Sequence, residues 1–111
     1  MYITMVKKIR ADGTPCRKCT EVEQLLRKET LLDKIDNIVI ADERDPESGG
    51  MQLARKYNIT YAPFFIVESE GKAPVIYTVY FQFVKEVFKT STTEKQEIDE
   101  IMDMNPDIDF I

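Results

Sequence analysis

The sequence predicts an α/β domain, a mixed sheet flanked by helices in the order β-α-β-α-β-β-α, followed by an acidic helix and tail. Three observations predict it. Short apolar runs alternate with segments of helical periodicity, the pattern of crossover units between parallel strands. Two more strand-like runs stand close together on either side of Glu70-Gly71-Lys72, the spacing of a hairpin. Finally, 111 residues with 43% hydrophobic and 32% charged side chains suit a single core. The domain is expected over residues 1–90 and the acidic extension over 91–111.

The elements follow in order. Tyr2 to Arg10 is rich in β-branched and apolar residues and stops at Asp12-Gly13, so it reads as a strand ended by a turn. Thr14 is expected to cap a helix with Pro15 at its first position. Cys16, Cys19, Val22, Leu25 and Leu26 give that helix an apolar stripe. Thr30 to Asp36 reads as a short helical turn, and Asn37 to Asp42 as a buried parallel strand. Asp45-Pro46 repeats the cap-then-proline signal for a helix whose inward face is Leu53, Ala54 and Tyr57, with Asn58 at its left-handed end. Phe64 to Val67 and Val75 to Val79 form the hairpin strands. Tyr80 to Phe88 suits the last helix of the body, although its aromatic content leaves a longer strand as the alternative, and its aromatic residues are assigned to the core. Beyond a polar connector, Thr93 and Gln96 have capping-box spacing for a helix ended by Asn105-Pro106.

Composition removes whole classes of function. There is no histidine, which excludes Ser-His-Asp and Cys-His catalysis and His-ligated zinc. Of the net charge of −5, the tail holds the acidic share: residues 94–111 contain seven acids and one lysine, whereas residues 1–93 carry 14 basic and 13 acidic side chains. A near-neutral body offers no basic stripe for phosphate contacts, which argues against nucleic acid as a partner. No apolar run approaches the ~20 residues of a membrane span, and the first residues lack a secretory cleavage pattern, so a cytoplasmic protein is expected.

Pro15-Cys16-Arg17-Lys18-Cys19 is the sharpest feature. Thiols three residues apart at a helix start project from one face and can bridge each other. Cys16, nearer the positive end of the helix and beside Arg17 and Lys18, is expected to be the outer, nucleophilic sulfur with a depressed pKa. Cys19, on the apolar stripe, would resolve the mixed disulfide. The pair alone leaves two other readings open. It is half of a tetrathiolate site, which a second chain would have to complete around zinc or an iron-sulfur cluster. It is also compatible with two small apolar core residues.

Further along, Leu53-Ala54-Arg55-Lys56-Tyr57-Asn58-Ile59-Thr60-Tyr61-Ala62-Pro63, followed by Phe64-Phe65-Ile66-Val67, resembles the second helix and central strand of thioredoxins. There, an Ala-x-x-Tyr-Gly-Ile segment precedes a cis-proline and an apolar strand. With Cys16-x-x-Cys19 and the element order, the resemblance to the thioredoxin and glutaredoxin superfamily spans roughly residues 2–88. The resemblance implies a thioredoxin-like fold and thiol-disulfide oxidoreductase activity, with Cys16 and Cys19 catalytic. It implies that Pro63 is a cis-proline facing the pair, and that Ala62 offers its backbone to an extended substrate. The substrate-binding surface is then Pro15, Arg17, Lys18, Tyr61, Ala62 and Pro63.

Unlike many thioredoxins, the chain has no acid in its first strand and no Trp before the cysteines. The lack of an extra N-terminal β-α unit is closer to glutaredoxins. Yet Tyr61-Ala62-Pro63 and Val79-Tyr80-Phe81 stand where glutathione users carry Thr-Val-Pro and Gly-Gly. The expected partner is therefore a protein disulfide or dithiol, with an unidentified reductase and no bound cofactor or metal. The chain is expected to act as a monomer. A binding or regulatory module without turnover is the alternative from another class. The tail's carboxylates have two readings, a solvated end or a segment approaching Lys7, Lys8 or Arg10.

Overall fold

The computed structural model of the protein describes residues 1–89, so the acidic extension expected over 91–111 lies outside the described residues. The sheet is built around β1 (Tyr2–Ile9). Strand β2 (Asn37–Asp42) runs parallel to it, with Thr4 opposite Asn37 and Ile9 opposite Asp42. Strand β3 (Phe64–Glu68) runs antiparallel on the other side, Tyr2 opposite Glu68 and Val6 opposite Phe64, and the short β4 (Val75–Tyr77) pairs antiparallel with β3. The four described strands lie in the order β2-β1-β3-β4. Among the described residues, three helices complete the α/β architecture: α1 (Arg17–Lys28), α2 (Gly49–Tyr57) and α3 (Tyr80–Val87), with one 3-10 turn at Leu32–Lys34.

Strand alternation divides the side chains between two faces. On one face Ile3, Met5, Phe65 and Val67 pack with Val22 and Leu26 of α1 and with Tyr80, Phe83 and Val84 of α3. On the other, Val6, Phe64 and Ile66 pack with Ala54 of α2 and with Ala41. Full burial of a Leu, Phe or Met side chain contributes roughly 1.5–3 kcal/mol, so these two clusters are the main source of stability. Asp36 fixes where β2 begins: its Oδ2 accepts from the N–H of Ile3 at 2.7 Å, while its own N–H donates to the Ile3 carbonyl at 2.9 Å.

Two expected boundaries and one expected burial are corrected. Helix α1 is capped by Cys16, not Thr14. The Thr14 N–H and hydroxyl turn back to Asp12 Oδ1 at 2.9 and 2.6 Å, and Pro15 stays extended in a bridge with Ile9. Helix α2 starts at Gly49 after Ser48, because Asp45 closes a separate turn: its carbonyl accepts from Ser48 N–H and its carboxylate from Glu47 N–H. Strand β2 is parallel as expected but is a sheet edge, with Ile38 41% and Ile40 38% exposed. Val39 and Ala41 face α2, whereas Ile38 and Ile40 point to the opposite face and join neither core cluster. Other local signals match the structure. Asn58 ends α2 with φ 56° and ψ 47°, and Gly71 turns the β3–β4 hairpin with φ 75°.

Candidate functional site

The end of β1 organises the cysteine pair. The Cys16 N–H donates to the Lys8 carbonyl at 3.1 Å, and the Lys8 N–H donates to Cys19 Sγ at 3.3 Å. A single strand residue thus holds both cysteines, one by backbone and one by sulfur. Cys16 sits at the N-cap of α1, where its Sγ accepts from the Cys19 N–H at 3.4 Å. A sulfur in that position meets the unpaired N–H groups and positive end of the helix, which favour its anion.

Across from the pair, the Cys16 thiol faces the Ala62 carbonyl oxygen at 4.0 Å, and Cys16, Cys19 and Ala62 form a small buried cluster of their own. The peptide between Ala62 and Pro63 is cis. Pro63 is buried beside Ala62, and Tyr61 is half-buried. The chain therefore brings together residues 46 apart in sequence. Of the other residues expected at the site, Pro15 and Arg17 are exposed on the rim and Lys18 is half-buried. Arg17 reaches Glu21 at 3.9 Å, an exposed pair of the kind that contributes little.

One expectation is corrected outright. Cys16 is not the outer, accessible sulfur: its exposure is 0%, the same as that of Cys19. The cause is the shift of the helix start. As N-cap rather than first-turn residue, Cys16 follows the extended Pro15 and packs against Cys19 and Ala62 instead of standing on the outward side of the helix. The thiol of Cys19 is pushed far above its ordinary value, first by its hydrogen bond with Cys16, then by burial and by the negative charge Cys16 acquires. The Lys8 N–H and the charge of Lys7 act against that rise.

Two lysines next to the pair were not singled out from the sequence as site residues. Lys7 Nζ meets Glu23 Oε1 of α1 at 2.9 Å, whereas Lys8, 3% exposed, meets Glu43 Oε1 beyond β2 at 2.5 Å. Glu43 also accepts from the Ala11 N–H through Oε2 at 3.0 Å, which ties the loop before Cys16 to the sheet. A signal for both was present: adjacent lysines inside a strand must point to opposite faces, so neither face could leave its lysine without an acid.

Among the described residues, no group of three or more Cys, Asp or Glu side chains is gathered as a ligand set for a metal ion. No described helix is long and apolar enough to cross a membrane. Two surface hollows of about 220 and 180 Å³ are lined by Arg27, Thr30, Leu32 and Asp33 and by residues around α2 such as Met51 and Ile59, and neither reaches a cysteine. No family model matches the chain, and no curated protein matches it in sequence.

Proposed function

We propose that the protein is a thiol-disulfide oxidoreductase of thioredoxin-like fold, acting on a disulfide in a protein partner. The observation that carries this reading is the convergence of Cys16, Cys19 and Ala62 in one buried cluster, with the Cys16 sulfur at the N-cap of α1. The strand order and the three described helices support it.

In this reaction Cys16 Sγ attacks one sulfur of the substrate disulfide and displaces the other as a thiolate. Cys19 then attacks Cys16, releases the second substrate sulfur and leaves an internal disulfide. The chain loses two electrons and the substrate gains them; an unidentified reductase of the reducing cytoplasm resets the pair. Pro15, Arg17, Lys18 and Tyr61 would frame the substrate, and the backbone of Ala62 before Pro63 would pair with it. Since Cys16 has no exposed surface, attack follows a local opening of the cover over its sulfur.

That same burial favours a second reading, a binding module of the same fold whose dithiol does not turn over. Insulin reduction with dithiothreitol separates the two. The oxidoreductase accelerates the reaction above dithiothreitol alone, and Cys16→Ser abolishes the acceleration. Wild-type rates equal to dithiothreitol alone overturn the enzymatic reading and leave the module.

A further inference from the structure

The surroundings of Cys19 assign a task to a residue outside the dithiol, an inference that rests on the oxidoreductase reading above. Cys19 Sγ accepts from the Lys8 N–H. The side chain of the preceding residue, Lys7, extends toward α1, where Nζ meets Glu23 Oε1 at 2.9 Å, both side chains being 21% exposed. Glu23 lies one helical turn after Cys19, so the two share a face of α1, and the Lys7 ammonium is held on that face. The charged and titratable groups about Cys19 are then Cys16 and Glu23 from its own helix, and Lys7 and Lys8 from β1. The Lys8 ammonium points to the other side of the sheet and pairs with Glu43. In the segment carrying Ala62, Tyr61 is the one titratable residue.

These groups change weight during the reaction. In the free dithiol, the hydrogen bond with Cys16 and its negative charge are what hold Cys19 protonated, together with burial. Once Cys16 is bonded to a substrate sulfur, that charge is gone. The Lys8 N–H and the Lys7 ammonium remain to favour the Cys19 anion against burial.

We infer that Lys7 is a positioning residue for the resolving step: its ammonium, tethered by Glu23 to the face of α1 that bears Cys19, stabilises the Cys19 thiolate when Cys16 is occupied. Cys19 loses its proton to solvent and its sulfur attacks Cys16 Sγ. The Cys16–Cys19 bond forms, the Cys16–substrate sulfur bond breaks, and the substrate sulfur leaves with the electron pair and takes up a proton from solvent.

The test uses the full chain and dithiobis(nitrobenzoate). Attack by Cys16 releases one equivalent of thionitrobenzoate, and resolution by Cys19 releases the second, whose rate is followed against pH. In Lys7→Met the second phase is expected to slow about tenfold near neutral pH and its midpoint to rise by about one pH unit. Lys7→Arg, which keeps the charge, is expected to retain the wild-type midpoint, and Glu23→Gln, which removes the competing anion, to lower it. An unchanged midpoint in Lys7→Met overturns the role. So does a shift in the same direction in Lys7→Met and Glu23→Gln, because both break the ion pair and a purely structural function would move them together. A wild-type chain that ends with thionitrobenzoate on both sulfurs, and no internal disulfide by mass, denies the dithiol reading itself and with it the task of Lys7.

Discussion

The two faces of the sheet are closed by opposite means. On the α1 and α3 face, large rings fill the space: Phe83 stacks on Phe65 with centroids 4.0 Å apart and planes within 7°, and meets Tyr77 at 5.7 Å and Phe88 edge-on at 5.4 Å. On the α2 face, the backbone itself approaches: a Cβ added to Gly50 would lie 2.3 Å from the Ala41 nitrogen and 2.5 Å from the Ile40 carbonyl carbon. One face depends on volume, the other on its absence. The difference teaches that a substitution's cost here follows from which face it enters, and less from how apolar it is.

The largest effect is expected where volume is removed. Phe83→Ala takes away a fully buried ring with three aromatic partners and should destabilise the fold by about 3–5 kcal/mol in denaturant titration, with a cavity left between α3 and β3. A loss below about 1 kcal/mol would mean the ring cluster is not the keystone of that face.

Next comes volume added to the opposite face. Gly50→Ala improves helix propensity, yet it must push α2 off β2, since the clash is with main chain that no rotamer change relieves. Roughly 1–3 kcal/mol of destabilisation is expected, and a stabilised variant would break the comparison. The same change at Gly71 meets no neighbour, although its positive φ of 75° strains any side chain there.

The smallest effect belongs to the end of the sheet, where Cys19 packs. Its thiol is held above the ordinary value, so the folded chain keeps a proton that the unfolded chain releases above about pH 8.5. The stabilising contribution is therefore complete below that pH. It is lost as pH rises toward the folded value, at roughly 1.4 kcal/mol per unit at most. Cys19→Ser should flatten this alkaline decline relative to wild type, measured as unfolding free energy from pH 7 to about pH 10. Parallel declines in the two proteins would remove the linkage.

Much of this arrangement was legible in the residues. The cap-like Asn58, the Gly71 turn, the pairing of the hairpin strands and the assignment of Tyr80 and Phe83 to the core all rest on local pattern and match the structure, except that β4 stops at Tyr77 because Val79, expected in the strand, is the N-cap of α3. The cysteine spacing pointed to two thiols close together at a helix start, and the structure brings them together, although Cys16, expected as the outer sulfur, is as buried as Cys19. Two features were not legible, one set by strands far along the chain and one by a competition between near neighbours. The apolar run of β2 carries no mark of being an edge, because strand order is set by which strands pair with β1. Thr14 had the chemistry of a cap but found Asp12 nearer, which passed the position to Cys16 and put its sulfur under cover.

The sequence by itself determined the element order and the pairing of two thiols at a helix start, since periodicity and turn residues act within a few positions. Only the tertiary structure decided that the pair is fully buried against Ala62, that Lys8 holds both cysteines, and that Lys7 and Lys8 find Glu23 and Glu43 on opposite faces. The reason is that burial and ion pairing are set by distance in space, and strand pairing brings together residues that the chain keeps far apart.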